Sequence, residues 1–149
     1  MTHFKSEAEI TAIGLGLLNR TLPKPAWTHA AHFAAAIYIL ARRPDLNAAR
    51  DMPAIIRAYN EATGVANTDT TGYHETITQA SLRAASAHLT GAPLHYICND
   101  LLNGPLANPS WLLEYWSQEL LFSPPARRHW INPDREPLPY APLTESTSF

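Results

Sequence analysis

Several things are scarce in this chain, and each scarcity excludes something. Cys98 is the one cysteine among 149 residues, so no internal disulfide forms. Positive charge is not in excess: 11 Lys and Arg stand against 13 Asp and Glu, a formal net charge of −2. A surface built to neutralise phosphates carries a basic excess, so no nucleic-acid partner is expected. No apolar run approaches the roughly 20 residues that span a bilayer, and no membrane partner is expected either. The longest run, Phe33 to Ala41, falls far short. Residues 1–20 lack the basic-then-apolar layout of a secretory leader, which makes a cytoplasmic location the expectation. Strand-like alternation is missing, as are a phosphate loop, a dinucleotide fingerprint and a nucleophile motif. Gly14-Leu15-Gly16 lies inside a helical pattern with no strand before it and says nothing about nucleotides.

What is present is helical periodicity. The length suits one domain with a sizeable core. Ser6 is placed to cap a first helix, with Glu9 three residues on as its capping-box partner, and Ile10, Ile13, Leu17 and Leu18 follow at helical spacing. A second helix is predicted from Thr28 to Arg42. A third runs from Leu46 to Ala62, where Pro53 is expected to split it and Gly64 to close it. A fourth is predicted over Gly72 to Leu89, a fifth over Leu94 to Leu102, and a sixth from Pro109-Ser110 through Leu121. An apolar face on that sixth helix would suit a homodimer. Beyond Ser123, six prolines between Pro124 and Pro142 argue against any helix. The expectation is an all-α single-domain bundle of five to six helices over residues 1–122. An irregular Pro-rich segment, 123–149, packs on it through Trp130, Ile131, Leu138 and Tyr140. Residues Thr144 to Phe149 are expected to fray.

Chemistry concentrates in two short motifs, Trp27-Thr28-His29-Ala30-Ala31-His32 and Gly72-Tyr73-His74-Glu75-Thr76. His29 and His32 are three apart and share one face of a helix. His74 falls in a first turn, with Thr71 as its expected cap. Consecutive antiparallel helices bring the second and fourth helix starts to one end of the bundle. There they meet Tyr59, Asn60, Asn67 and Asp69. Three imidazoles and a carboxylate suit a divalent metal, zinc, iron or manganese. On that reading His29, His32 and His74 are metal ligands. Glu75 is a further ligand or a general base, and Tyr59, Asn60, Asn67 and Asp69 line the pocket of a small-molecule ligand. His88 lies about 21 Å along its helix from His74 and is too far to join.

A second reading stays open beside the first. Histidines at helix starts also serve as structural hydrogen-bond donors, in a non-catalytic module that binds a ligand or a protein. The same motifs, with Tyr59-Asn60, Gly64 and Asn67-Thr68-Asp69, resemble a group of small bacterial helical proteins carrying WTHxxH and GYHET motifs. That resemblance covers the chain to about Tyr140 and implies a helical fold without implying an activity. The three-histidine arrangement is also loosely similar to the DinB/YfiT-type metal-binding bundles, although their histidine pair is spaced by four and lies late in the chain.

Overall fold

Side-chain caps start every α-helix except the one that follows Pro93. Ser6 accepts the Glu9 N–H at 3.3 Å, and Glu9 takes the Lys5 N–H at 3.0 Å, which opens α1 (Glu7–Leu18). Thr28 does the same for α2 (His29–Arg42), and Asn47 for α3 (Ala48–Ala62). The other helices are α4 (Glu75–Ala87), α5 (Leu94–Leu102), α6 (Gln118–Leu121) and α7 (Pro124–Arg128). This computed structural model describes residues 2–143, and among them there is no strand. The expected fraying of Thr144 to Phe149 lies outside the described residues.

The protein is all-α, and α2 is its axis. Phe33 through Ile39 are all buried, and α2 packs against α1, α3, α4 and α5. Gly14 lets α1 approach α2, because a Cβ there would lie 2.2 Å from Cδ2 of Tyr38. The described residues share one apolar cluster that Trp111, Leu112, Trp116 and Leu121 complete.

The structure differs from the sequence expectation at four places. Pro53 does not split α3. A proline removes the hydrogen bond to the carbonyl four residues back, here that of Ala49. Gln79 of α4 fills the vacancy, its Nε2 donating to Ala49 O at 2.9 Å. The fourth helix begins at Glu75 rather than near Gly72, because His74 is its N-cap in place of Thr71. The sixth does not form in one piece. A 3₁₀ turn over Trp111–Glu114 is followed by α6, which starts afresh at Ser117. The break is fixed from the C-terminal side: the Ser117 N–H donates to Asp134 Oδ1 at 2.6 Å, and the Arg135 N–H donates to Tyr115 O at 2.8 Å. Finally, the Pro-rich segment does contain a helix. In α7 the prolines occupy the first two positions, where a helix needs no N–H from them, and Ser123 caps it.

The C-terminal segment lies on the body as expected. Trp116 donates to Ile131 O at 2.9 Å, and the Arg83 guanidinium sits 3.9 Å over the Trp130 ring. No helix among the described residues is long and apolar enough to cross a membrane.

The Pro53–Gln79 compensation gives a measurable coupling. Gln79→Ala lowers unfolding stability by about 1 kcal/mol in the native background, the worth of one hydrogen bond. In Pro53→Ala, where the backbone can serve Ala49 itself, the same change costs less. Urea unfolding of the four variants checks the cycle.

Candidate functional site: two cavities around His32

The loop between α3 and α4 carries most of the residues singled out in the sequence. Gly64, at φ +83°, ends α3 with the Val65 N–H on Asn60 O at 2.8 Å and its own N–H on Glu61 O at 3.1 Å, a paired C-cap. Asn67 then pins the loop down. Its Oδ1 accepts the Tyr73 N–H and Asn60 Nδ2, each at 3.0 Å, and its Nδ2 donates to Arg57 O at 3.2 Å. Gly72 turns the chain at φ +77°, where a Cβ would meet Ala66 O at 2.3 Å. The Asn67 side chain is therefore spent on the loop. Asp69 pairs with Arg128 of α7 at the surface. Tyr59 is fully buried and donates to Leu22 O at 2.8 Å. Glu75 accepts the Tyr73 hydroxyl, and burial with that bond pushes the Tyr73 hydroxyl pKa far above its ordinary range.

His74 is equally committed. Its Nδ1 accepts the Ile77 N–H at 3.1 Å, so its proton sits on Nε2, which donates to Leu121 O at 2.6 Å. Burial, and Arg127 nearby, hold its pKa below the ordinary imidazole value. His29 donates from Nε2 to Leu106 O at 2.7 Å. A metal ligand must offer a nitrogen lone pair, and in His74 neither nitrogen has one to spare. Among the described residues no three His, Cys, Asp or Glu side chains converge where a metal could be held. The expected set of His29, His32 and His74 is thus not assembled as a metal centre, and Glu75 is turned to Tyr73 instead.

The structure does bring His32 and His74 together on one cavity, as the helix directions implied. It has a volume of about 410 Å³ and lies between α2, α3 and α4. Trp27, His32 and Ala36 form one wall, Met52, Ile56 and Asn60 a second, and Ile77, Thr78 and Ser81 a third; Tyr73 and His74 close the end. A smaller cavity of about 160 Å³ lies beyond, among His29, Phe33, Trp111, Leu121 and Phe122. His32, Ile77 and Ser81 line both cavities. Among the described residues, no Asp, Glu, Lys or Arg lines either one.

His32 is the distinctive group. Protein crowds its ring, yet the residue is exposed and lines both cavities. Its ring centroid lies 3.9 Å from that of Trp27, and among the described residues it has no hydrogen-bond partner. Burial, reinforced by His29, lowers its pKa from 6.5 to about 4, so at neutral pH it is an uncharged imidazole offering one N–H and one lone pair. Ser81 also lacks a hydrogen-bond partner among the described residues, and Asn60 keeps Oδ1 free.

Sequence reasoning found His32 and Asn60 but missed Met52, Ile56, Ile77, Thr78 and Ser81. Their signal was there. Residues 32 and 36, residues 52, 56 and 60, and residues 77, 78 and 81 are stripes at helical spacing on three helices. Alone, each reads as ordinary core. No family model, curated protein or solved structure matches the chain.

Two outcomes separate the histidines. His74→Ala uncaps α4 and strands Leu121 O, which costs about 2 kcal/mol. His74→Asn keeps a capping oxygen and recovers about half of that. Thermal melts of both variants decide it. His32→Gln behaves differently. Between pH 6.5 and 4 the unfolded chain binds a proton at position 32 that the folded chain refuses, so native stability falls as pH falls through that window. His32→Gln loses this dependence, and its melting temperature rises relative to the native protein on acidification.

Proposed function

We propose that the protein is a non-catalytic binding module for a small, uncharged, largely apolar molecule held in the larger cavity. The observation that carries this reading is His32, a neutral imidazole without a protein partner, facing a cavity of about 410 Å³ that no ionised side chain lines. Ligand sites commonly fall between about 300 and 1,000 Å³, mostly apolar, with a few placed polar groups. Here those groups are His32, Asn60 and Thr78. A charged ligand would lose its hydration with no counter-charge to replace it. The metal-enzyme reading has less support, since both His74 nitrogens and His29 Nε2 serve the backbone and no three ligand side chains converge among the described residues. Cys98 is buried with its thiol pushed up to about 12, which keeps it protonated and out of the chemistry. A cytoplasmic location goes with this reading.

N-phenyl-1-naphthylamine, a neutral probe that brightens in apolar surroundings, tests the proposal. It should bind with a saturable rise in emission and change the fluorescence of Trp27, which lines this cavity. Ala36→Leu, which fills the cavity from α2, should weaken binding at least tenfold without lowering the melting temperature. No saturable binding, or binding indifferent to Ala36→Leu, overturns the reading.

A further inference from the structure

The smaller cavity has its own chemistry. Its volume of about 160 Å³ is that of one six-membered ring; an apolar protein cavity of about 150 Å³ accepts benzene. Phe33, Trp111 and Phe122 supply aromatic surface on its walls, with Leu112, Leu113, Leu121 and Ile77 between them. Aromatic walls favour an aromatic guest through edge-to-face contact as well as burial. The rim is open beside Phe122, a large apolar side chain that is 50% exposed.

His29 and Ser110 are polar groups of the smaller cavity alone, and His32 and Ser81 line the side shared with the larger one. Ser81 sits in the middle of α4, where a serine hydroxyl ordinarily bonds back to the carbonyl one turn earlier. It makes no such bond here, and His32 beside it makes none either. Two side chains with no hydrogen-bond partner among the described residues therefore line the same ring-sized, largely apolar space. Each can both donate and accept, and neither is balanced by a charge.

We propose that the smaller cavity is a second binding compartment for a single uncharged aromatic ring bearing one hydroxyl or ring N–H, which is directed onto His32 and Ser81. The ring fills the space between Phe33, Trp111 and Phe122. Its polar substituent donates to the imidazole nitrogen of His32 that carries no proton, and its oxygen, where present, accepts from Ser81. A carboxylate or ammonium on the ring is rejected, since no opposite charge lines the compartment. The inference extends the ligand-binding reading through the shared His32, but does not depend on what occupies the larger cavity.

Phenol, toluene and benzoate are the probes, followed by NMR on the indole N–H signals of Trp111 and Trp27. Trp111 lines the smaller cavity alone and Trp27 the larger alone, so the two signals separate failure of this inference from failure of the previous one. Phenol should shift the Trp111 signal saturably, toluene should bind about tenfold more weakly, and benzoate should leave the signal unmoved. The tenfold gap is what one net neutral hydrogen bond supplies. His32→Leu and Ser81→Ala should each bring phenol toward the toluene affinity, while Ala36→Leu should leave phenol binding intact. Equal binding of phenol and toluene, shifts confined to Trp27, or indifference to both His32→Leu and Ser81→Ala would overturn it.

Discussion

The buried start of α4 is the constraint on which the rest of the molecule hangs. A helix N-terminus leaves its first N–H groups without partners, and burying it requires that side chains supply them. Here the supply runs both ways. His74 Nδ1 takes the Ile77 N–H, and its Nε2 proton goes to Leu121 O. Thr76, fully buried, places its hydroxyl 2.7 Å from Ala126 O and 2.9 Å from His129 O, and accepts the Ile131 N–H at 3.2 Å. Arg127 returns from α7 to the carbonyls of Gly72 and Tyr73. Five consecutive residues, 72 to 76, thus tie together the loop after α3, the start of α4, the end of α6 and the Pro-rich segment.

That constraint explains why two histidines alike in sequence have opposite roles. His74 lies where backbone groups need partners, so its ring is consumed by them. His32 lies one turn inside α2, where the backbone bonds to itself and asks nothing of the side chain. Its ring is left facing space. The polar corner is therefore two things laid side by side: a structural knot around His74, and a chemically open wall around His32 and Ser81. Asn67, Asp69 and Glu75 belong to the knot, whereas Tyr59 is spent on Leu22 O. Asn60 alone among the expected pocket residues reaches both, giving its amide N–H to Asn67 and keeping its oxygen for the cavity.

The helical architecture was legible because periodicity and caps are local. Ser6, Thr28 and Gly64 each act within a few residues of themselves, and each does what its neighbours in sequence imply. Two of the misses are local, the His74 cap of α4 and the proline-started α7, and the other two are tertiary. Pro53 is tolerated because Gln79, on another helix, replaces what it removes. The 111–121 stretch breaks because Asp134 and Arg135 take its backbone groups from a segment many residues later. The meeting of the two histidine motifs followed from helix direction. The occupancy of each ring nitrogen did not, because Leu106 and Leu121 contribute through carbonyls that every residue has and no side chain advertises.

The same reasoning bears on why the cavities exist at all. Protein interiors are packed to the density of organic crystals, and a void forfeits dispersion contacts along its whole lining. Gly14 lets Tyr38 close on α1, and the carbonyl freed by Pro53 finds a donor, although His95 Nδ1 and Arg127 Nε are buried without a hydrogen-bond partner among the described residues. Around His32 the packing opens. Two cavities adjoin, an imidazole and a hydroxyl stand unpaired between them, and leucine at either position would bury apolar surface without stranding a polar group. Stability selects against such an arrangement, whereas a ligand that completes the hydrogen bonds and fills the space selects for it. The contrast between a His74 ring spent wholly on the backbone and a His32 ring left open to both cavities is what supports the proposed binding site.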